Sequence, residues 1–167
     1  MENHTLTNTA KEQLIGMIRG ETGTSAEDKI LEFGSGRYTI AEALHGVSGR
    51  LSCTDKFDVF PDTLRDFAEI HDINLIPNAE IEEDCYFGRF QVVYTNFGFF
   101  GIPHLVDEIM RLRRLLLKGG KMIIVDCDEN GFQAECLKQL KRCGFLQPRT
   151  ETFELDGKTA FLITAEK

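Results

Sequence analysis

The chain has 167 residues, of which 28% are charged and 42% are hydrophobic, the composition of an ordinary folded domain. Its 19 basic and 27 acidic residues give a formal net charge of −8, which argues against binding to the phosphate backbone of nucleic acids. No apolar run approaches the ~20 residues of a membrane span, and residues 1–4 lack the basic flank and apolar core of a signal peptide. The five cysteines form no C-x-x-C pair, so we expect reduced thiols and no metal site. We therefore expect residues 1–167 to form one cytoplasmic domain.

The first half of the chain alternates amphipathic helical patterns with short apolar runs. The predicted order is a helix over 9–20 that opens with a capping box, a strand over 30–33, a helix over 38–45, a strand over 51–54, a helix over 61–70 and a short strand over 73–76. Gly46 is expected to end the second of these helices.

The second half continues the alternation and ends in a hairpin. The predicted order is a strand over 90–94, a helix over 105–117 closed by Gly119 and Gly120, a strand over 121–125, a helix over 132–142 and two strands over 148–155 and 159–164. The dipeptide Asp156-Gly157 between the last two strands is typical of a type I′ turn. This pattern predicts an α/β fold: a doubly wound, mostly parallel sheet with helices on both faces and an antiparallel C-terminal hairpin.

In such a sheet, ligands bind at the carboxyl ends of the strands. Residues 34–36, here called the glycine turn, follow the first strand and allow a ligand to approach the backbone closely. Asp55 follows the second strand, 21 residues after Gly34, where a carboxylate can accept hydrogen bonds from ribose hydroxyls. Thr39 stands where a dinucleotide fold has its third glycine, so the pattern predicts a nucleoside without a pyrophosphate. Glu32, just before the turn, would repel a phosphate and could hold a cationic group.

Several segments occur in the order found in class I S-adenosylmethionine-dependent methyltransferases, and the chain resembles that family from about residue 9 to its end. These segments are the first strand with the glycine turn, Asp55, the loop at 78–80, the strand and loop at 90–97, and the helix and strand at 105–125. The resemblance implies a Rossmann-like fold and S-adenosylmethionine as the cofactor. The cofactor-binding residues that it implies are Glu32, Gly34, Ser35, Gly36, Asp55, Asn78, Ala79, Asn96 and Phe97.

The resemblance also implies a role for each part of this set. The glycine turn would carry the amino-acid moiety, Asp55 the ribose and the loop at 78–80 the adenine, while Asn96 and Phe97 would form the floor of the methyl site. Two positions depart from the family pattern. Tyr38, which follows Arg37, replaces a third glycine, so either a bulkier loop crowds the cofactor or the second helix begins there. Asn78 replaces an acid, although its amide oxygen can still accept a hydrogen bond from an adenine amino group.

Residues that could move a proton are few. The candidate bases are His104 and Asp126, although an exposed residue beside a helix cap and a solvated acid are the simpler interpretations. Phe99 and Phe100 could wall an apolar pocket or pack in the core. The first hypothesis is a methyltransferase that acts on a small molecule or a protein, with its cleft completed by a homodimer partner or by the N-terminal helix. The alternatives are a binding or scaffold protein with an inactive cofactor loop and, with less support, an NAD or nucleotide-sugar enzyme.

Overall fold

The computed structural model describes residues 7–22, 28–36, 38–45 and 50–167. The strands within these residues are β1 (Lys29–Phe33), β2 (Arg50–Thr54), β3 (Asn74–Leu75), β4 (Phe90–Asn96), β5 (Leu116–Cys127), β6 (Leu146–Leu155) and β7 (Lys158–Glu166). They form one sheet in the order β3-β2-β1-β4-β5-β7-β6. The strands β1 to β5 are parallel, and β7 pairs antiparallel with both β5 and β6. The predicted mostly parallel sheet with an antiparallel C-terminal edge is confirmed.

Helices cover both faces of this sheet. The helices in the described residues are α1 (Asn8–Thr22), α2 (Ala41–Leu44), α3 (Asp62–His71), α4 (Leu105–Leu115) and α5 (Phe132–Arg142). Apolar side chains of α1, α2 and α3 pack on one face, and those of α4 and α5 pack on the other. Neighbouring residues of β1 point to opposite faces of the sheet. Ile30 packs on the face covered by α1, α2 and α3, and Leu31 packs on the face covered by α4 and α5. None of these described helices is long and apolar enough to cross a bilayer.

The second helix is shorter than predicted. The expected helix over 38–45 is reduced to Ala41–Leu44, and Gly46 lies outside the described residues. The reason is a buried carboxylate on β1, because Glu32 accepts hydrogen bonds from the Thr39 hydroxyl at 2.5 Å and from the Ile40 amide at 3.1 Å. These bonds hold the residues before α2 in an irregular loop that returns to β1.

The glycines at 119 and 120 lie within a strand and do not follow a helix. Helix α4 ends at Leu115, and β5 begins at Leu116, before both glycines. Gly120 lies so close to β4 that a Cβ atom there would be 3.0 Å from the carbonyl oxygen of Gln91. The pairing of β4 with β5 also shifts its register in this region. The glycines therefore permit an irregular close contact between two strands.

The N-terminal helix packs beside α2 on one face of the sheet. Leu14 and Ile18 of α1 are fully buried in the core, and Arg19 donates a hydrogen bond to the carbonyl oxygen of Ala43 at 2.9 Å. At the other end of the chain, Asp156 and Gly157 have φ angles of 48° and 74°. Two successive positive φ angles are those of the predicted type I′ turn, which is confirmed.

Candidate functional site

A cleft of about 290 Å³ lies at the carboxyl ends of β1, β2 and β4. The glycine turn and Asp55 supply one side, and the loop from Phe97 to Pro103 supplies the other. Four residues predicted from the sequence, Gly34, Gly36, Asp55 and Phe97, therefore line one cleft. The structure brings these four residues together through the strand order, since β1 lies between β2 and β4.

The glycine turn is fixed directly to the end of β2. The amide groups of Gly34 and Ser35 both donate hydrogen bonds to the carbonyl oxygen of Thr54, at 2.9 and 3.1 Å. The Ser35 side chain is buried and donates to the carbonyl oxygen of Glu32 at 3.2 Å, so it points away from the cleft. These bonds place the turn against the residue that immediately precedes Asp55.

The two carboxylate oxygens of Asp55 have different roles. Oδ1 accepts hydrogen bonds from the backbone amides of Phe57 and Val59, at 2.9 and 3.3 Å, and so shapes the loop after β2. Oδ2 faces Gly36, because a Cβ atom on Gly36 would be 3.4 Å from it. In the described part of the chain, Oδ2 accepts no hydrogen bond. One oxygen is therefore occupied by the fold, and the other is available to a ligand.

Glu32 is an internal anchor and does not line the cleft. It is fully buried, and its carboxylate accepts hydrogen bonds from the Tyr94 hydroxyl at 2.6 Å and from Thr39 and Ile40. Burial raises the pKa of Glu32 above its ordinary value, and it raises the pKa of the Tyr94 phenol as well, so the phenol keeps its proton and donates. The expectation that Glu32 could hold a cationic ligand group is not supported by this placement.

The end of β4 connects to the loop that carries Tyr38. The Asn96 amide nitrogen donates to the Tyr38 carbonyl oxygen at 2.6 Å, while its buried Oδ1 has no partner among the described residues. The Tyr38 ring packs on the Phe97 ring with centroids 5.4 Å apart. Tyr38 therefore forms part of the cleft wall, and the cleft remains open beside it.

Gly98 makes a contact that sequence reasoning missed. A Cβ atom on Gly98 would overlap the Thr95 hydroxyl and would be 3.3 Å from the carbonyl oxygen of Phe33. The loop after β4 thus lies directly against the loop after β1, where Gly34 has a φ angle of 84°. The only available signal was a glycine close behind an apolar strand, which many loops share.

Asp126 holds the loop after β4 and does not line the cleft. Its buried carboxylate accepts hydrogen bonds from the backbone amides of Phe99 and Phe100, at 3.1 and 3.0 Å, and from that of Cys127 at 2.9 Å. Burial raises the pKa of Asp126 to about 6. With its oxygens committed to backbone amides, Asp126 is a positioning residue, and the structure does not support it as a base.

Asn78 and His104 lie on a neighbouring cavity of about 700 Å³. The Asn78 amide oxygen accepts a hydrogen bond from the Arg111 guanidinium at 2.8 Å, and Ala79 is exposed beside it. Lys56 and Pro103 border both this cavity and the cleft, so the two lie side by side there. His104 is exposed at the start of α4 and does not reach the cleft that holds Asp55 and Phe97.

Arg111 of α4 contacts several residues beside this cavity. Its guanidinium pairs with Glu108, donates to Asn78 and lies 5.5 Å from the centroid of the Phe33 ring. Glu108 also pairs with Lys56 at 3.3 Å. Arg111 and Glu108 are three residues apart on α4, and only the fold shows that the facing side chains are Asn78 and Phe33.

Comparison with known proteins shows similarity of fold at low sequence identity. No protein-family model matches the sequence, and no curated protein matches it. The chain is similar to a solved structure of 1,6-didemethyltoxoflavin-N1-methyltransferase from Burkholderia thailandensis, with a TM-score of 0.78, 16% identity, and coverage of 95% of this chain and 78% of that one. The structure of that enzyme contains 1,6-didemethyltoxoflavin and S-adenosylhomocysteine.

Two further solved structures share the fold. A tRNA (m1A58) methyltransferase from Aquifex aeolicus gives a TM-score of 0.71 at 13% identity, with 100% of this chain and 72% of that chain covered. A phosphoethanolamine N-methyltransferase from Haemonchus contortus, solved with S-adenosylhomocysteine, gives 0.73 at 12% identity, with 93% and 53% covered. These enzymes act on unrelated acceptors, so their similarity to this chain identifies an architecture and no acceptor. The chain therefore has the Rossmann-like fold of the class I S-adenosylmethionine-dependent methyltransferases.

Proposed function

We propose that this protein transfers a methyl group from S-adenosylmethionine to a small-molecule or protein acceptor. The observation that carries the proposal is that Gly36 meets Asp55 Oδ2, an oxygen with no hydrogen-bond partner among the described residues, at the edge of one cleft. A carboxylate oxygen without a partner beside a residue without a side chain leaves room for a hydroxyl-bearing ligand. The structures of related fold contain S-adenosylhomocysteine, which supports the choice of cofactor.

The residues of the cleft fit such a cofactor. Asp55 Oδ2 would accept hydrogen bonds from the ribose hydroxyls, as the spacing along the sequence predicts. Because the amides of Gly34 and Ser35 already donate to Thr54, the turn would meet an ammonium group through its carbonyl oxygens. When bound, the cofactor supplies an electrophilic methyl group, and the task of the chain is to align the acceptor and exclude water.

The adenine would extend from Asp55 past Lys56 toward the neighbouring cavity. Asn78 and Ala79 line or adjoin that cavity, so both stay predicted adenine contacts. The Asn78 oxygen already accepts one hydrogen bond from Arg111, but an amide oxygen has a second lone pair for an adenine amino group. Arg111 would thereby fix the orientation of the Asn78 side chain.

The acceptor is proposed to be something other than a nucleic acid, because a net charge of −8 opposes a phosphate backbone. The open cleft is also compatible with a homodimer in which a second chain completes the acceptor site. We also propose that the protein is cytoplasmic, because S-adenosylmethionine is available there. Sedimentation of the protein with and without S-adenosylhomocysteine measures its oligomeric state and so tests the proposed homodimer.

Calorimetric titration with S-adenosylmethionine and S-adenosylhomocysteine tests the proposal. We expect saturable binding of both, with a loss of about tenfold or more in affinity in Asp55→Asn, because a charged acceptor is replaced by a donor at Oδ2. The substitution keeps an oxygen that can accept from the amides of Phe57 and Val59, so the loop is preserved. Asp66→Asn, an exposed change on α3, is the matched control. Absence of binding by either ligand at millimolar concentration would overturn the proposal and favour the scaffold alternative.

A further inference from the structure

We propose that the acceptor is an uncharged aromatic nitrogen heterocycle, methylated on a pyridine-type ring nitrogen. This inference rests on the proposed methyltransferase function and names the acceptor class for the same cleft. It follows from three features of the described residues: the aromatic walls of the cleft, the exposed apolar side chains around its mouth, and the lack of a free base within it.

Aromatic residues make up a large share of the cleft lining. The five are Phe33, Tyr38, Phe57, Phe97 and Phe100. A planar apolar acceptor can stack on such rings, and aromatic pairs contribute binding energy beyond the area that they bury. The carboxylate of Asp55 and the faces of the rings carry negative potential, so they disfavour an anionic acceptor and stabilise a cation.

Exposed apolar side chains are concentrated around this cleft. Phe57 and Phe100 are 76% and 43% exposed and line the cleft itself. Phe87 and Met110, which are 38% and 41% exposed, line the cavity that adjoins it. A cleft of about 290 Å³ is at the lower end of the size of ligand pockets. The acceptor would therefore lie at the apolar mouth, with only its reactive edge reaching inward.

No described side chain in the cleft is free to act as a strong base. Asp55 Oδ1 accepts hydrogen bonds from the backbone, Oδ2 would accept from the ribose of the proposed cofactor, and Lys56 pairs with Glu108. Asp126 is buried behind the loop, and His104 lies on the neighbouring cavity. A phenol, an amide or a thiol would need to lose a proton during methyl transfer, whereas a pyridine-type nitrogen would not.

The step balances without a proton acceptor. The lone pair of the ring nitrogen forms a bond to the methyl carbon while the carbon–sulfur bond breaks, and the electron pair of that bond stays on sulfur. The positive charge thus moves from sulfur to the ring nitrogen within the same aromatic surroundings. Cation–π attraction to rings such as Phe97 and Tyr38 would stabilise the charge before and after the transfer.

Three probes of similar shape separate the possible nucleophiles: isoquinoline, naphthol and naphthoate. We expect the protein saturated with S-adenosylmethionine to convert isoquinoline to its N-methyl cation, detected by mass spectrometry, at least about tenfold faster than it methylates the other two. We also expect isoquinoline to bind the complex with S-adenosylhomocysteine in a calorimetric titration, which needs no turnover. Failure of isoquinoline to bind or to be methylated, or an equal rate with naphthol, would overturn the inference and leave cofactor binding untouched.

Two variants test the roles of the rings. Phe100→Ala should raise the KM for isoquinoline about tenfold while leaving the Kd for S-adenosylhomocysteine within about twofold. Ile70→Ala removes an equally apolar exposed side chain on α3, outside both cavities, and should change neither value. An unchanged KM in Phe100→Ala, or an equal rise in Ile70→Ala, would contradict the inference.

Discussion

Gly36 lies against the carboxylate of Asp55, so that a Cβ atom on the glycine would be 3.4 Å from Oδ2. The two residues are brought together by the pairing of β1 with β2, and the glycine turn is held there by two hydrogen bonds to Thr54. The space that a side chain on Gly36 would fill lies in front of Oδ2, which accepts no hydrogen bond from any residue that the structure describes. This relationship is the basis of the proposal that the cleft binds a ligand with hydroxyl groups.

The first prediction concerns that space. Gly36→Ala should leave the melting temperature of the free protein within about 2 °C, because its nearest contacts would be ordinary van der Waals distances. The added methyl group should weaken binding of S-adenosylhomocysteine by about tenfold, since it shields Asp55 Oδ2. Calorimetric titration measures the change. Gly16→Ala, on an exposed position of α1 with open space around it, is the control. Unchanged affinity in Gly36→Ala would show that the ligand does not use this side of the cleft.

The second prediction concerns the contact between the loops after β1 and β4. Gly98→Ala should lower the free energy of unfolding by about 1–3 kcal/mol, because the methyl group would overlap the Thr95 hydroxyl. Urea unfolding measures this loss. The double variant Gly98→Ala/Thr95→Ala should lose less than the sum of the two single variants. Simple additivity of the two losses would contradict the steric account.

The third prediction is a pH dependence of stability that arises from Asp126. Its pKa is raised from 3.8 to about 6 in the folded protein, so the folded state binds the proton more tightly than the unfolded state does. This contribution to stability is fully present below pH 3.8 and is lost as the pH rises through about 6. A shift of this size corresponds to roughly 3 kcal/mol. The difference in unfolding free energy between the native protein and Asp126→Asn should decrease over this interval.

Carboxyl chemical shifts in an NMR titration provide an independent readout of the same group. We expect the Asp126 carboxyl carbon to titrate with a midpoint near 6. A midpoint at or below its ordinary value of 3.8 would contradict the account, whatever the stability of the variant.

The fourth prediction concerns the cysteines, all five of which are free. Cys85 is exposed, whereas Cys53 and Cys136 are buried, and burial raises the pKa of both buried thiols. Iodoacetamide should therefore label Cys85 at least about 100-fold faster than Cys53 or Cys136 in the folded protein. Peptide mass spectrometry after a short exposure measures the order. Early labelling of Cys53 would show that the core of β2 is open to solvent.

Much of the architecture could be predicted from sequence because it depends on local signals. Apolar runs located the strands, and the Asp156-Gly157 pair located the hairpin turn, whose φ angles are both positive. The second helix was predicted too long, because its start is displaced by Glu32, a residue on another element. Similarly, Gly119 and Gly120 are typical of a helix end when only neighbouring residues are considered.

The same distinction between local signals and contacts made by the fold applies to the candidate site. Gly34, Gly36, Asp55 and Phe97 could be placed together, because strand ends in a parallel sheet share one edge. The pairing of Asn78 with Arg111 could not, since it depends on how α4 crosses the sheet. The positioning role of Asp126 could not be predicted for a related reason: the burial and hydrogen bonding of its carboxylate are properties of the folded packing.

The most direct measurement of the central claim is a crystal structure of the protein with S-adenosylhomocysteine. We predict that the ribose hydroxyls lie within hydrogen-bond distance of Asp55 Oδ2 and that the amino-acid moiety lies on the glycine turn. A ribose placed away from Asp55, or a ligand confined to the cavity beside His104, would contradict the account while leaving the fold as described.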